Sequence, residues 1–127
     1  MKSYTDLEQS KKLAEFLPIE SADMYYNDWK YDFYDGFEHT GRYVAHLGTP
    51  KTIRGKLDIP CWSLAALLTV LPDSIYNNTN EFSQLEFSKR SVAYHDINDG
   101  IKVGSIKDNL VDACYDTILK LHKRNLL

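Results

Sequence analysis

The chain has 127 residues, of which 43% are hydrophobic and 26% charged; fifteen Lys and Arg against eighteen Asp and Glu leave a net charge of −3. That length suits a single domain, here read as residues 1–127, whose own core suffices for folding without disulfide or metal. The near-neutral balance excludes a generally basic nucleic-acid coat and a disordered acidic tail.

The opening, MKSYTDLEQSKKLAEF, has no apolar run of the kind a secretory signal carries. The most apolar stretch, Leu64 to Leu71, is far shorter than the ~20 residues a membrane-spanning helix requires. Cys61 and Cys114 have no metal-ligand spacing, and free thiols in a reducing cytosol are the default. A cytoplasmic protein away from membranes is the expectation.

Thr5 and Glu8 form a T-x-x-E capping box, and Leu7, Leu13, Ala14, Phe16 and Leu17 predict a helix over about 6–17, stopped by Pro18. The next segment, MYYNDWKYDFYDGF (24–37), holds seven aromatic residues among fourteen. Aromatics favour strands, while Asn27-Asp28 and Asp35-Gly36 favour turns. Short strands are predicted near 22–26, 30–34 and 42–47. GTPKTIRG (48–55) reads as a loop.

In DIPCWSLAALLTVLP, Pro60 suits a first helical turn and Pro72 an end. Leu64, Leu67, Leu68 and Leu71 recur at helical spacing with almost no polar face between them, so this helix is expected at the middle of the fold. Residues 73–83 read as a loop. Leu85 and Phe87 alternate with polar neighbours, and Val92 to Tyr94 and Ile101 to Val103 are further strand candidates around a turn rich in Asp and Asn. The last element is a helix over about 108–124, with Asp108 as N-cap. Val111, Cys114, Ile118 and Leu121 form its apolar face, and Asp116 and Lys120 an i,i+4 ion pair. The order α–β–β–β–α–β–β–α predicts an α+β fold, a small antiparallel sheet packed with about three helices.

No catalytic constellation emerges. Gly55-Lys56 lacks the Walker A context at both ends, since Pro50 stands where the first glycine belongs and Leu57 where Ser or Thr belongs. None of His39, His46, His95 and His122 has zinc-ligand spacing, and no cofactor or metal is expected. Cys61, near a helix N-terminus, reads either as a reactive thiol or, more commonly in an apolar setting, as a buried one. His95 with Asp96 and Asp99 reads either as an acid/base or metal group or, more commonly, as a plain polar turn.

The distinctive feature is charge segregation. Residues 20–38 carry six acids and one base, whereas 42–56 carry four bases and no acid. One reading pairs the two blocks across adjacent strands, with the aromatics as core and sheet surface. The other makes the segment a recognition surface, because Tyr and Trp are enriched at binding hot spots. The candidate contact residues are Tyr25, Tyr26, Trp29, Tyr31 and Tyr34, together with the basic loop residues Lys51, Arg54 and Lys56.

PCWSLAALLTVLP (60–72) and DNLVDACYDTILKLHKRNLL (108–127) resemble a family of small uncharacterised proteins of gut Bacteroidales, often carried on phages and mobile elements. LEQSKKLAEFLPIESADMYY (7–26) is similar to that family's opening. The resemblance covers 53 residues. It implies an accessory or host-interaction protein rather than a metabolic enzyme, and brings no assigned activity with it.

The leading expectation is a small non-enzymatic interaction module, either a homo-oligomer or a binder of another protein. Its alternative is a binder of a phosphorylated small ligand or nucleic acid through Lys51, Arg54 and Lys56, although the neighbouring acids disfavour nucleic acid. A hydrolase or thiol enzyme would require His95, Asp99 or Cys61 to converge.

Overall fold

A computed structural model describes residues 2–32, 36–50, 52–53, 56–76, 82–96 and 100–127, with side chains described among these except at 28–41, 52–53, 56–57, 76, 82, 96 and 100–102. The fold is α+β, and the chain divides into two compact units. The first is Asp6–Ser63, and the second is Met1–Thr5 with Leu64–Leu127.

The first unit begins with α1 (Leu7–Ala14). Its N-cap is Asp6, one residue beyond the expected Thr5. The Asp6 carboxylate accepts from the Gln9 N–H at 2.8 Å, and the Gln9 side chain accepts from the Asp6 N–H at 3.1 Å. Thr5 is fully buried and belongs to the second unit, so the cap passes to the next polar side chain. The helix is also shorter than expected. The N–H groups of Phe16 and Leu17 both reach the Leu13 carbonyl in a closing turn ahead of Pro18.

A long hairpin follows, with β1 (Met24–Asp32) and β2 (Gly36–Leu47) antiparallel. The two strands expected near 22–26 and 30–34 are therefore one. Asn27-Asp28 makes no turn. Instead the register shifts there, Asn27 facing Val44 and Trp29 facing His39, so that two steps along β1 match five along β2. A bulge has absorbed the turn-forming dipeptide. The register also bears on the charged blocks: it sets Lys30 opposite Glu38, two residues of the same acidic stretch.

Within the segment expected as a loop, β3 (Thr52–Ile53) and β4 (Lys56–Leu57) form a two-stranded ladder. Next comes β5 (Ile59–Cys61), which pairs with β1 to give the sheet order β2–β1–β5. Pro60 thus lies in an edge strand rather than a helical turn, where its missing N–H costs no ladder bond. Met24, Tyr26 and Cys61 make the small core of this unit, packed by Leu7, Ala45 and Ile59.

Asp23 ties the ends of the sheet together. Its carboxylate accepts from the Ser63 N–H at 2.9 Å and from the Ser63 hydroxyl, and its carbonyl accepts from the Gly48 N–H at 3.0 Å. Gly48 sits at φ +122°, a conformation that side-chain-bearing residues rarely adopt. The Trp62 indole, fully buried, donates to the Ser21 hydroxyl at 2.9 Å, and that hydroxyl donates to the Pro18 carbonyl at 2.6 Å.

The second unit contains α2 (Leu64–Val70), β6 (Ser74–Tyr76), β7 (Phe82–Phe87), β8 (Ser91–Asp96), β9 (Gly100–Ile106) and α3 (Leu110–Lys123). The four strands form an antiparallel meander in the order β6–β7–β8–β9. Part of the expected 73–83 loop is strand, because Ser74–Tyr76 pairs with Phe82–Gln84. In α2 only Ala66 and Leu67 are buried, so its buried face is narrower than its composition implied.

On α3 the expected stripe holds: Val111, Cys114, Ile118 and Leu121 are all fully buried, and the helix packs on α2, β8 and β9. Its N-cap is Asn109, one residue beyond Asp108, with the side chain accepting from the Asp112 N–H at 2.9 Å. The chain's first residues belong here too. The Lys2 ammonium lies 2.7 Å from the Asp112 carboxylate, and the Ser3 carbonyl accepts from the Leu64 N–H at 3.0 Å.

Candidate functional site

Strand β2 is an edge strand, and among the described residues it has no partner beyond β1. Period-two alternation assigns its side chains to faces. Ala45 lies opposite Tyr26 and packs on the core side, together with Met24, Cys61 and Leu7. Val44 and His46 lie opposite Asn27 and Tyr25 on the other side. There the Tyr25 and His46 rings stack, with centroids 5.1 Å apart and planes at 23°.

Three large apolar residues within five positions of this edge are exposed: Tyr43 at 45%, Val44 at 49% and Leu47 at 84%. The Lys11 ammonium of α1 stands 5.8 Å from the Tyr43 ring centroid, over the ring, in cation–π range.

The sequence-predicted contact residues distribute unevenly over this surface. Tyr25 is half-buried beside the edge, stacked on His46. Tyr26 is only 8% exposed and serves the core of its unit. Trp29 and Tyr31 occupy β1 opposite His39 and Phe37, and Lys56 occupies β4 opposite Ile53, at the level of register alone. Tyr34, Lys51 and Arg54 lie outside the described residues.

Comparison with protein-family models, curated proteins and solved structures gave no match in any of the three.

Three of the other chemically suggestive residues, Cys61, Cys114 and Tyr94, are buried. Cys61 is fully buried in β5 rather than at a helix N-terminus, so the macrodipole argument for a reactive thiol lapses. Cys114 is fully buried, and burial pushes its thiol up to about 12. Tyr94 is buried as well, and its hydroxyl donates to the Pro72 carbonyl at 2.5 Å. Burial, then the charge of Asp73, then that of Cys114 hold the phenol above its ordinary range. His95 lies half-buried in β8, whereas Asp99 falls outside the described residues. Among the described residues no group of three or more His, Cys, Asp or Glu is placed to hold a metal. No described helix is long and apolar enough to cross a membrane.

Sequence reasoning missed one feature of the second unit. A pocket of about 440 Å³ opens between β8, β9 and α3, lined by Ser91 and Val92, by residues 104–107, and by Asp116 and Lys120. Burial disfavours the charged form of Asp116. The hydrogen bonds from Ser105 and Lys120 and the charges of Lys120 and Lys107 outweigh it and hold the carboxyl below its usual range. Lys120 lies 3.1 Å from Asp116 and also donates to the Gly104 carbonyl at 2.7 Å. Of this set the sequence showed only the Asp116–Lys120 pair. The rest depends on the pairing of β8 with β9.

Proposed function

We propose that the chain is a small non-enzymatic interaction module of the cytoplasm, and that it associates with a second copy of itself through the edge of β2. The observation that carries this reading is the exposure of Tyr43, Val44 and Leu47 along a strand that, among the described residues, pairs with β1 alone. Unpaired strand edges are templates for pairing with another chain unless they are blunted by charge, proline or cover. Residues 43–47 hold no charged side chain and no proline.

An antiparallel pairing of two β2 edges about a two-fold axis at Ala45 supports the choice of a second copy. It sets Tyr43 opposite the partner's Leu47, apolar on apolar, and Val44 opposite the partner's His46. No like charges meet along 43–47, and the contact is self-complementary as two-fold symmetry requires. The free state of Cys61 and Cys114 suits a reducing compartment.

Sedimentation velocity from micromolar to submillimolar concentration tests the reading. The expected result is a reversible dimer that Val44→Lys weakens and Phe87→Lys, an equally exposed apolar site on β7, leaves unchanged. A monomer over the whole range, or equal sensitivity to both substitutions, refutes it.

A further inference from the structure

We propose that the pocket between β8, β9 and α3 binds a small amphipathic monoanion, a carboxylate on a short hydrocarbon body, with Lys107 as its counter-charge. The argument begins with the three charged groups of the lining. Asp116 and Lys120 stand 3.1 Å apart and neutralise one another, and Lys120 is further engaged by the Gly104 carbonyl. The Lys107 ammonium makes no hydrogen bond or ion pair among the described residues and acts on Asp116 only through its charge, so the three charged groups of the lining sum to one net positive charge.

Lys107 is also well anchored at its root. Its N–H donates to the Arg90 carbonyl at 3.0 Å, and its carbonyl accepts from the Arg90 guanidinium at 3.0 Å. Pinned backbone on both sides reduces the ordering cost of a contact made by that side chain.

The second argument is the character of the walls. Ala93 and Ile106 are the apolar lining residues that are not buried in the core, and Ile106 is 74% exposed despite its size. Covering such surface favours a ligand with a hydrocarbon part. The volume of about 440 Å³ far exceeds what a bare inorganic ion fills, given roughly 30 Å³ for each water displaced. A multiply charged anion is disfavoured, because Asp116 remains ionised and would repel the second charge. Cations are disfavoured by Lys107.

The test is an amide-resolved NMR titration of the full chain at low salt. Hexanoate is the probe. Hexanol carries the same body without the charge, acetate the charge without the body, and inorganic phosphate a compact multiple charge. Hexanoate should give saturable shifts at residues 91–93 and 104–107 in the millimolar range, with the other three at least about tenfold weaker. Lys107→Glu should weaken hexanoate by at least about tenfold, while Lys123→Glu, the same charge change on α3 outside the pocket, should stay within about twofold. Lack of saturation overturns the proposal. So do hexanol or phosphate matching hexanoate, and equal damage from the two charge reversals.

Discussion

Replacing Cys114 by alanine tests how completely the second unit closes around α3. In the unfolded chain this thiol titrates near its ordinary value of about 9, whereas burial in the native state pushes it up to about 12. Between those values the unfolded chain has released a proton that the native protein keeps. Native binding of more protons means that stability falls as pH rises, so the contribution is intact below about 9 and lost on the way to about 12. At about pH 10.5 the linkage relation gives a loss of ~2 kcal/mol relative to pH 8. Alanine removes the titration and costs on the order of 1 kcal/mol at every pH through lost packing. Tyr94 also holds its proton more tightly in the native state, but it is present in both proteins and cancels to first order.

Urea unfolding with a reductant present, at a series of pH values, yields the comparison directly. The wild-type advantage over Cys114→Ala should shrink, and reverse by ~1 kcal/mol, between pH 8 and about pH 10.5. Parallel stability–pH curves for the two proteins would mean that the thiol meets water, and the closed core described here would be wrong.

Other substitutions probe single contacts. Gly104→Ala would place a methyl carbon 2.6 Å from the Val92 carbonyl oxygen and 3.0 Å from the Ala93 Cα, backbone atoms that cannot turn aside. A loss of at least ~2 kcal/mol in urea unfolding is expected, and a neutral result would refute the close approach of β8 and β9. Asp6→Ala removes one arm of the α1 capping box and should cost ~1 kcal/mol, read as a lower thermal midpoint, whereas Thr5→Ser should leave the helix cap untouched. Tyr94→Phe deletes the donor to the Pro72 carbonyl and should cost ~1–1.5 kcal/mol near neutral pH.

The apolar stripe of α3 was legible because helical periodicity and burial coincide at Val111, Cys114, Ile118 and Leu121. On β8 the apolar residues Val92 and Tyr94 are buried in the same way, whereas on β7 the alternation marked a strand but misjudged its face, because Phe87 is 56% exposed and Ser83 is buried. Asn27-Asp28 misled because turn propensity is local, and the hairpin register can accommodate the same dipeptide as a bulge. Pro60 misled because a first helical turn and a sheet edge tolerate a missing N–H equally well. Both N-caps fell one residue late, at Asp6 and Asn109, where adjacent polar residues compete and tertiary burial or geometry decides.

The aromatic richness of 24–37 marks the β1–β2 hairpin, on which the exposed apolar residues also lie. The exposed cluster lies on its second strand, in RYVAHL, where no composition anomaly marks it. Only the sheet order reveals that strand as an edge. The pocket was invisible for a different reason. Lys107, Ser105, Ser91 and Asp116 are each ordinary in sequence and acquire meaning only from their neighbours across the strands.

The attachment of the first residues to the second unit has a consequence for synthesis. Lys2 pairs with Asp112 and Ser3 with Leu64, so the unit containing them is discontinuous in sequence, with residues 6–63 inserted between its two segments. Residues 6–63 leave the ribosome as a continuous stretch and can assemble as soon as they emerge. The other unit must wait for α3, with residues 2–5 uncommitted until residues 64 and 112 have been made. Nascent chains arrested before about residue 110 would therefore hold the first unit complete and the second incomplete.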